Sequence, residues 1–523
     1  MILHITEPYL WLPVNKKNPE VKLHFYCGQT KFQEIDIQLG GTDGDFYTSM
    51  DVSRYLGRDI EIRSGEKIPE ESLYSIFCHS ERTQNVYPFR PQLHFAPEFG
   101  WHNDPNGLVF ADGVYHLYYQ WNPYGVIWGN MHWGHAVSRD LIRWEHRPGV
   151  MDPDQYGTVY SGCGFQDKDN AAGFGSNALL FFYTAAGGCN QWSIDTGGQH
   201  TQRLAVSTDG GETLRRTDHT ILPHIAGTNR DPKVFYHRES GAYIMVLYLE
   251  GFEFAIFRSA DLLHWEETQR LSADGMQECP DLFELSTDQP ASKKKWVLWS
   301  ANGYYQVGSF DGYHFTPESE VLSSYSTRLA YAAQTYAGVD DRTISVAWLR
   351  LDNDRGNYRG VMTIPAELSL VRDNDSYKMR FCLPKELLAY RQLSSTLAEN
   401  ERTFETTLCG KPIEVSLNWS AQETGSAQMR IGDTSIAIDF GSGSITFANP
   451  QVYAEPIAVS FDRSKSLDLD LDLVIDQEVI EFFGDSGVLY GAVETEENIL
   501  RKKFTLASTA EIASLRLYEF VLP

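Results

Sequence analysis

Three acids in this chain sit beside proline in turn-like settings. Asp104 lies in Trp101-His102-Asn103-Asp104-Pro105-Asn106-Gly107, Asp231 in Arg230-Asp231-Pro232, and Glu278 in Glu278-Cys279-Pro280. A single Asn-Asp-Pro turn reads most simply as a solvated loop. Three such placements, each ahead of a β-strand pattern, read as a set. A nucleophilic carboxylate and a carboxylic acid about 5 Å apart cleave a glycosidic bond with retention. Asp104 suits the nucleophile, because backbone and Asn donors in its turn would keep it ionised. Glu278 suits the acid/base, since Met276, Cys279 and Pro280 around it would raise its pKa by desolvation. Asp231, beside Arg230, is expected to stay charged and accept hydrogen bonds from sugar hydroxyls. Taken alone, Arg230 and Asp231 read equally well as a structural salt bridge.

Residues this far apart need a scaffold that brings them together. Long helical periodicity is nearly absent, while short alternating strands and turn residues dominate, so the chain reads as all-β. Ser138-Arg139-Asp140-Leu141-Ile142-Arg143-Trp144 recurs as Ser259-Ala260-Asp261-Leu262-Leu263-His264-Trp265, with looser copies starting at Ser207 and Ser309. Copies roughly 50 to 70 residues apart suit four-stranded propeller blades with insertions, each copy an outer hairpin turn. A fifth, unmarked unit follows at Tyr331–Tyr336 and Thr343–Trp348. The expected architecture is a five-bladed β-propeller over residues 89–370. A small β-domain over 1–88 precedes it and a β-sandwich over 371–523 follows. Asp104, Ser161, Asp231, Glu278 and Tyr331 are each expected just before the first strand of a unit. In a propeller such positions converge on one end of the central funnel.

The 523 residues carry 44 Lys and Arg against 70 Asp and Glu, a net charge of −26. Nucleic acids and anionic membranes are poor partners for such a surface, and a neutral sugar is a better one. Hydrophobic residues at 42% and aromatics at 13% fit a soluble, tightly packed β-protein. The seven cysteines are scattered without a CxxC pair, so neither a disulfide framework nor a zinc knuckle is expected. The beginning, Met1-Ile2-Leu3-His4-Ile5, shows neither the basic nor the apolar segment of a secretory signal. A cytoplasmic location and no membrane span are therefore expected. His132-Trp133-Gly134-His135 invites a metal reading, but one strand cannot turn both histidines to a shared ion without further ligands. No metal and no cofactor are expected.

Several strings together resemble glycoside hydrolase family 32, the β-fructofuranosidases. They are Trp101–Gly107, Tyr119–Pro123, Trp128–Ala136, Tyr160-Ser161-Gly162, Arg230-Asp231-Pro232, Glu278-Cys279-Pro280, Gly308–Pro317 and Met362–Pro365. The resemblance implies a five-bladed propeller and retention. It implies Asp104 as nucleophile, Asp231 as transition-state stabiliser and Glu278 as acid/base. It also implies that Asn103, Gln120, Trp128, Ser161 and Arg230 hold a terminal fructose, and Tyr331 joins them from its place in the fifth unit. The expected activity is exo-acting release of fructose from fructo-oligosaccharides, fructans or sucrose. Transfer of the fructosyl unit to a sugar acceptor uses the same intermediate. An arabinan or xylan hydrolase of a related five-bladed family, or a propeller that only binds carbohydrate, fits the motifs less well.

Two departures stand out. Where the family often has Asp-Phe-Tyr-Ala, this chain has Leu329-Ala330-Tyr331-Ala332. The lost Asp removes a contact beyond the fructose subsite and argues against a simple sucrose preference. The N-terminal segment before the first motif resembles, more weakly, a small β-domain found before some bacterial levanases. It is expected to pack against the propeller or to mediate self-association rather than to do chemistry.

Overall fold

The computed structural model describes residues 1–84, 87–288, 294–352, 356–374, 376–397, 401–420, 424–463 and 468–522. Among the described residues, strands dominate and no helix is long and apolar enough to cross a membrane.

The first strands make a four-stranded sheet ordered Ile2–His4, Asp59–Arg63, Val21–Cys27, Thr30–Ile37, and a three-stranded sheet centred on Tyr9–Val14. Alternation of Leu23, Phe25, Ile35 and Ile37 with polar residues turns one face of the larger sheet inward against Leu10 and Leu12. Thr30–Ile37 is an edge strand, hydrogen-bonded to a neighbour on one side.

The centre of the molecule is the five-bladed propeller. Its blades begin with Gly100–Ala111, Thr158–Asp167, Arg230–His237, Asp281–Ser286 and Ala330–Thr335. Each of these strands pairs antiparallel with the next in sequence, and they stand innermost. The fifth blade runs through Ala366–Asp373 to Ser376–Cys382, past the expected boundary at residue 370. The ring is closed by a parallel pairing of Tyr358–Arg359 with Gly100–Trp101.

The recurring Ser-x-Asp segment is one turn used repeatedly between the outer strands. The Asp carboxylate accepts successive backbone amides: Asp140 from Ile142 and Arg143, Asp261 from Leu263 and His264, and Asp311 from Tyr313 and His314. The next residue has left-handed φ in every copy: Leu141 (65°), Gly210 (76°), Leu262 (67°) and Gly312 (91°). The carboxylate cap holds even a leucine there, and side-chain donors (Tyr390 to Asp140, His264 to Asp261) together with those amides hold Asp140 and Asp261 at about 2 despite partial burial.

After the propeller, two six-stranded sheets pack face to face around Val415, Leu417, Trp419, Met429, Phe447 and Phe482. The junction with the propeller is apolar at Trp299, Leu349, Phe381, Phe483 and Tyr490. An ionic cluster is sealed inside it. His94 Nδ1 lies 3.1 Å from Asp476 and Nε2 2.9 Å from Glu481, with all three side chains fully buried. Asp476 also accepts the backbone amides of Gln92, Leu93 and His94, and Glu481 accepts Ile364 N and the Tyr490 hydroxyl.

Candidate active site

The innermost strands do not run straight to the funnel mouth. Gly100–Ala111 is bulged between His102 and Pro105, Thr158–Asp167 between Val159 and Gly162, Arg230–His237 between Arg230 and Lys233, and Ala330–Thr335 between Tyr331 and Gln334. Asp104, Ser161, Asp231 and Tyr331 therefore sit inside the first strands, on their bulges, and not before them as the sequence suggests. Glu278 alone of the five precedes its strand, Asp281–Ser286. An extra residue in a bulge re-aims the side chain toward the axis, and this often requires positive φ. Asp231 (63°), Glu278 (56°), Cys279 (38°) and Ala332 (53°) are all left-handed. A non-glycine residue there costs about 1–3 kcal/mol, so the surroundings must hold it. For Asp231, its amide donates to Thr184 Oγ1 (3.0 Å), and the Thr184 hydroxyl donates to Gln202 Oε1 (2.7 Å). Beneath the second bulge, a Cβ on Gly162 would lie 2.0 Å from the Phe182 carbonyl, so only glycine fits.

The bulges open onto a cavity of about 450 Å³ lined by Asn103, Asp104, Gln120, Trp128, Ser161, Arg230, Asp231, Glu278 and Tyr331. Every site residue named from sequence is on its wall. Met131, Tyr160, Cys189, His200, Thr228 and Trp348 join them and were not singled out. Tyr160 was within reach of the sequence, as the neighbour of Ser161 in a quoted motif. Trp348 ends an apolar alternation that reads as core, and Cys189 and His200 flank an inserted loop with no motif of its own.

Asp104 Oδ1 accepts from Asn103 Nδ2 (3.0 Å), and Oδ2 accepts from Ser161 Oγ (2.6 Å). Asn103 is itself fixed by Trp101 Nε1 at 2.9 Å. The Cys279 thiol stands between two carboxylates, 3.6 Å from Asp104 and 3.5 Å from Asp231, and Cys279 N donates to Asp231 at 3.1 Å. Arg230 Nη2 donates to Glu278 Oε1 at 2.5 Å, its Nε is 3.8 Å from Asp231, and its plane lies over Tyr248. The Tyr331 hydroxyl donates to the other Glu278 oxygen.

Burial sets the charge balance. It pushes Asp231 up to about 7, with Arg230 opposing and Asp104 and Glu278 adding to the rise. The expectation that Asp231 stays fully charged beside Arg230 fails, because one guanidinium is shared between two acids in a desolvated pocket. Burial also raises Asp104, against the donors Ser161 and Asn103 and with help from Glu278. Glu278 lacks the apolar shell expected for it. Met276 is buried in the core between the third and fourth blades, and the Cys279 thiol turns to the aspartates. Its carboxylate meets Arg230 and Tyr331 instead and stays 31% exposed.

Gln120 is 2% exposed, and its Nε2 has no hydrogen-bond partner among the described residues. It is a buried donor on the cavity wall with spare hydrogen-bonding capacity. Trp128, 53% exposed, stands edge-on to Tyr160 at the mouth. Leu329 is not on the wall; it packs against the apolar junction cluster. Among the described residues no group of three His, Cys, Asp or Glu side chains could hold a metal ion. His135 stacks on Tyr118 and His116, and His132 hydrogen-bonds its own loop at Asn130 O.

Residues 94–380 match the sequence profile of the glycosyl hydrolases family 32 N-terminal domain. A levanase of Bacillus subtilis is 31% identical over 450 residues, 76% of this chain and 65% of the levanase. The chain thus spans just under two thirds of that relative. An extracellular exo-inulinase of Aspergillus niger is 29% identical over 481 residues, 76% of this chain and 88% of the inulinase. Among solved structures, exo-inulinase from Aspergillus awamori superposes with a TM-score of 0.73 at 24% identity, covering 84% of this chain and 99% of its own. A fructofuranosidase from Schwanniomyces occidentalis complexed with fructose gives 0.72 at 22%, covering 84% and 99%. At such identities the structural likeness speaks for the fold.

Proposed function

This chain belongs to glycoside hydrolase family 32, and we propose that it is a retaining, exo-acting β-fructofuranosidase that releases single fructose units from fructo-oligosaccharides, fructans or sucrose. The observation that carries this reading is the convergence of Asp104, Asp231 and Glu278 on one cavity, with Arg230 and Tyr331 both bonded to Glu278.

Asp104 is the nucleophile. Asn103 and Ser161 fix its carboxylate and favour its charged form, while burial keeps it poorly hydrated and reactive. It attacks the anomeric carbon of a terminal fructofuranosyl unit as Glu278 gives a proton to the departing oxygen. Glu278 then takes a proton from the water that hydrolyses the fructosyl ester. Asp231, with a proton affinity near neutrality, accepts ring hydroxyls, and each one it accepts favours the carboxylate over the acid. The Gln120 amide and the Asn103 and Arg230 side chains complete the grip on that ring.

The bulged strands converge on one cavity of about 450 Å³, room for one terminal ring and little more, which supports attack at a chain end rather than at a chain middle. Leu329 brings no polar group to it, so the contact expected there to favour a neighbouring glucose is lost. One lost hydrogen bond shifts a preference by about 1 kcal/mol, or several-fold. Chromatography of early products from sucrose, inulin, levan and short fructo-oligosaccharides tests both points. Free fructose is expected first, with fructo-oligosaccharides used at least as well as sucrose. A ladder of internal fragments would overturn the exo action, and a strong sucrose preference would overturn the specificity.

A further inference from the structure

The loop of residues 123–131 joins Val114–Asn122 to His132–Ser138 and carries Trp128 and Met131 to the cavity. It is tied to the N-terminal β-domain at both ends. At its start, Pro123 O accepts the Thr48 hydroxyl, and Tyr124, 4% exposed, is buried in the apolar core that Leu10, Leu23 and Phe25 build. At its end, Asn130 Nδ2 donates to Asp36 O (2.7 Å) and Asn130 Oδ1 accepts from Asp36 N (2.8 Å). The amide thereby imitates a neighbouring strand on the open side of Thr30–Ile37.

A second rim loop is held by the same strand. Residues 187–199 carry Cys189 to the cavity and include the short helix Gln191–Asp195. Trp192 N donates to Glu34 Oε1 (3.2 Å), and Lys31 Nζ, paired with Glu34 at 2.7 Å, sits 4.6 Å above the Trp192 ring. Glu34 is a carboxylate 4% exposed whose partners include this loop, so the docking is built in and not a surface accident.

The three acids, by contrast, belong to the propeller itself, and among the described residues none of the N-terminal domain lines the cavity. We infer that the N-terminal β-domain is a specificity element: its edge strand positions the two rim loops, through Asn130 and Trp192, for the sugar next to the terminal fructose. This rests on the function proposed above. Trp128, which the resemblance places with the terminal fructose, is exposed and edge-on to Tyr160, and under this inference its face is where the second sugar stacks. Asn130 and Trp192 act through the loops and are positioning residues.

The test uses the full chain and two variants, one per loop. Asn130→Gly keeps the left-handed backbone (φ 44°) and removes the side-chain clasp together with the Asn130 Nδ2 bond to Asn122 Oδ1 (3.1 Å) at the loop's own base; Trp192→Ala leaves that base intact and removes the packing on Lys31. Each is assayed on an inulin-type trisaccharide and on an activated aryl β-fructofuranoside, which presents no second sugar. KM for the trisaccharide should rise about fivefold with kcat within about twofold, the scale of one lost hydrogen bond. Both constants for the aryl fructoside should hold. Alkylation of Cys189, located by mass spectrometry, should speed up several-fold in Trp192→Ala as its loop loosens. Equal KM changes on both substrates, or unchanged constants with unchanged Cys189 reactivity, overturn the inference. If the unaltered protein cleaves no fructoside, the proposed function fails instead, while the Cys189 rate still reports whether the clasp holds the loop. If Asn130→Gly does not fold, Trp192→Ala decides alone.

Discussion

Two acid-rich clusters lie deep in this molecule, and they are built on opposite terms. At the propeller–sandwich junction, His94 stands between Asp476 and Glu481, and each carboxylate has its own further donors. Burial acts against every charge there. The hydrogen bonds to Asp476 and Glu481 still outweigh it for His94, raised to about 9, and the donors around Asp476 bring it below its usual range. In the cavity, two of the three carboxylates, Asp231 and Glu278, share one guanidinium, and burial wins: Asp231 rises to about 7 and Asp104 rises too. The junction has spent its hydrogen-bonding capacity on structure, whereas the cavity holds some back for a ligand.

Removing Asp104 should break the comparison most sharply. Asp104→Asn is nearly isosteric and should leave the melting temperature unchanged, yet cost on the order of three decades in kcat. A purified variant with near-full activity would sink the assignment. Glu278→Ala should cripple sugars with poor leaving groups but spare the first step on an activated aryl fructoside. Azide should restore part of the turnover by attacking the intermediate.

The junction should respond the other way. Asp476→Ala leaves the His94 ring and four backbone amides, those of Gln92, Leu93, His94 and Gln477, without their acceptor, and breaking a buried pair costs about 3–5 kcal/mol. Calorimetry should show a large fall in melting temperature, with kcat per folded molecule unchanged at low temperature. A matching loss of kcat would mean that the junction reaches the site.

Asp231→Asn should do what no junction substitution does: lower activity steeply and raise stability at neutral pH. A buried acid whose folded pKa lies above its unfolded value loses stability as pH rises from about 4 to about 7, because the native state then binds the extra proton. Asparagine removes that net penalty, in which the Arg230 attraction is already counted, so the melting temperature at neutral pH should rise. A melting temperature at pH 8 below that of the unaltered protein would refute it.

The last contrast lies in the pH profile of stability. The contribution of His94 is complete below about pH 6.5 and is lost as pH rises through about 9. That of Asp476 is complete above about pH 4 and is lost as pH falls through its lowered folded value. Melting curves of the unaltered protein and His94→Gln should therefore converge above pH 9 and separate near pH 6. Parallel curves across that range would show that His94 does not carry this charge.

The acids were legible because their chemistry demands particular residues next to them: Asn103 and Pro105, Arg230 and Pro232, Cys279 and Pro280. The blades were legible because one capped turn repeats. The bulges were not, since Asp104, Ser161, Asp231 and Tyr331 look the same in sequence whether they precede a strand or buckle it. Arg230 beside Asp231 suggested a simple ion pair, and only burial and the nearness of Glu278 reverse that reading. Met131 and Cys189 reach the cavity because Asp36 and Glu34, at the far side of a domain boundary, hold their loops. No local pattern around Asn130 or Trp192 announces partners so distant in the chain.

The parallel pairing of Tyr358–Arg359 with Gly100–Trp101 has a kinetic meaning. The strand that carries Asp104 gains its outer neighbour early, from the adjacent hairpin, but its other edge waits until most of the propeller has been synthesised. Contacts of such long range form slowly, and an open sheet edge invites pairing with other chains. A nascent chain halted before Ala337, which bridges to Val109 and is the first residue to pair with that edge, holds all three acids and an unfinished nucleophile strand, and is more prone to aggregate than to cleave sugar. Recovery of activity during refolding should accordingly trail the recovery of β-structure, with ring closure as the last event before the enzyme can work.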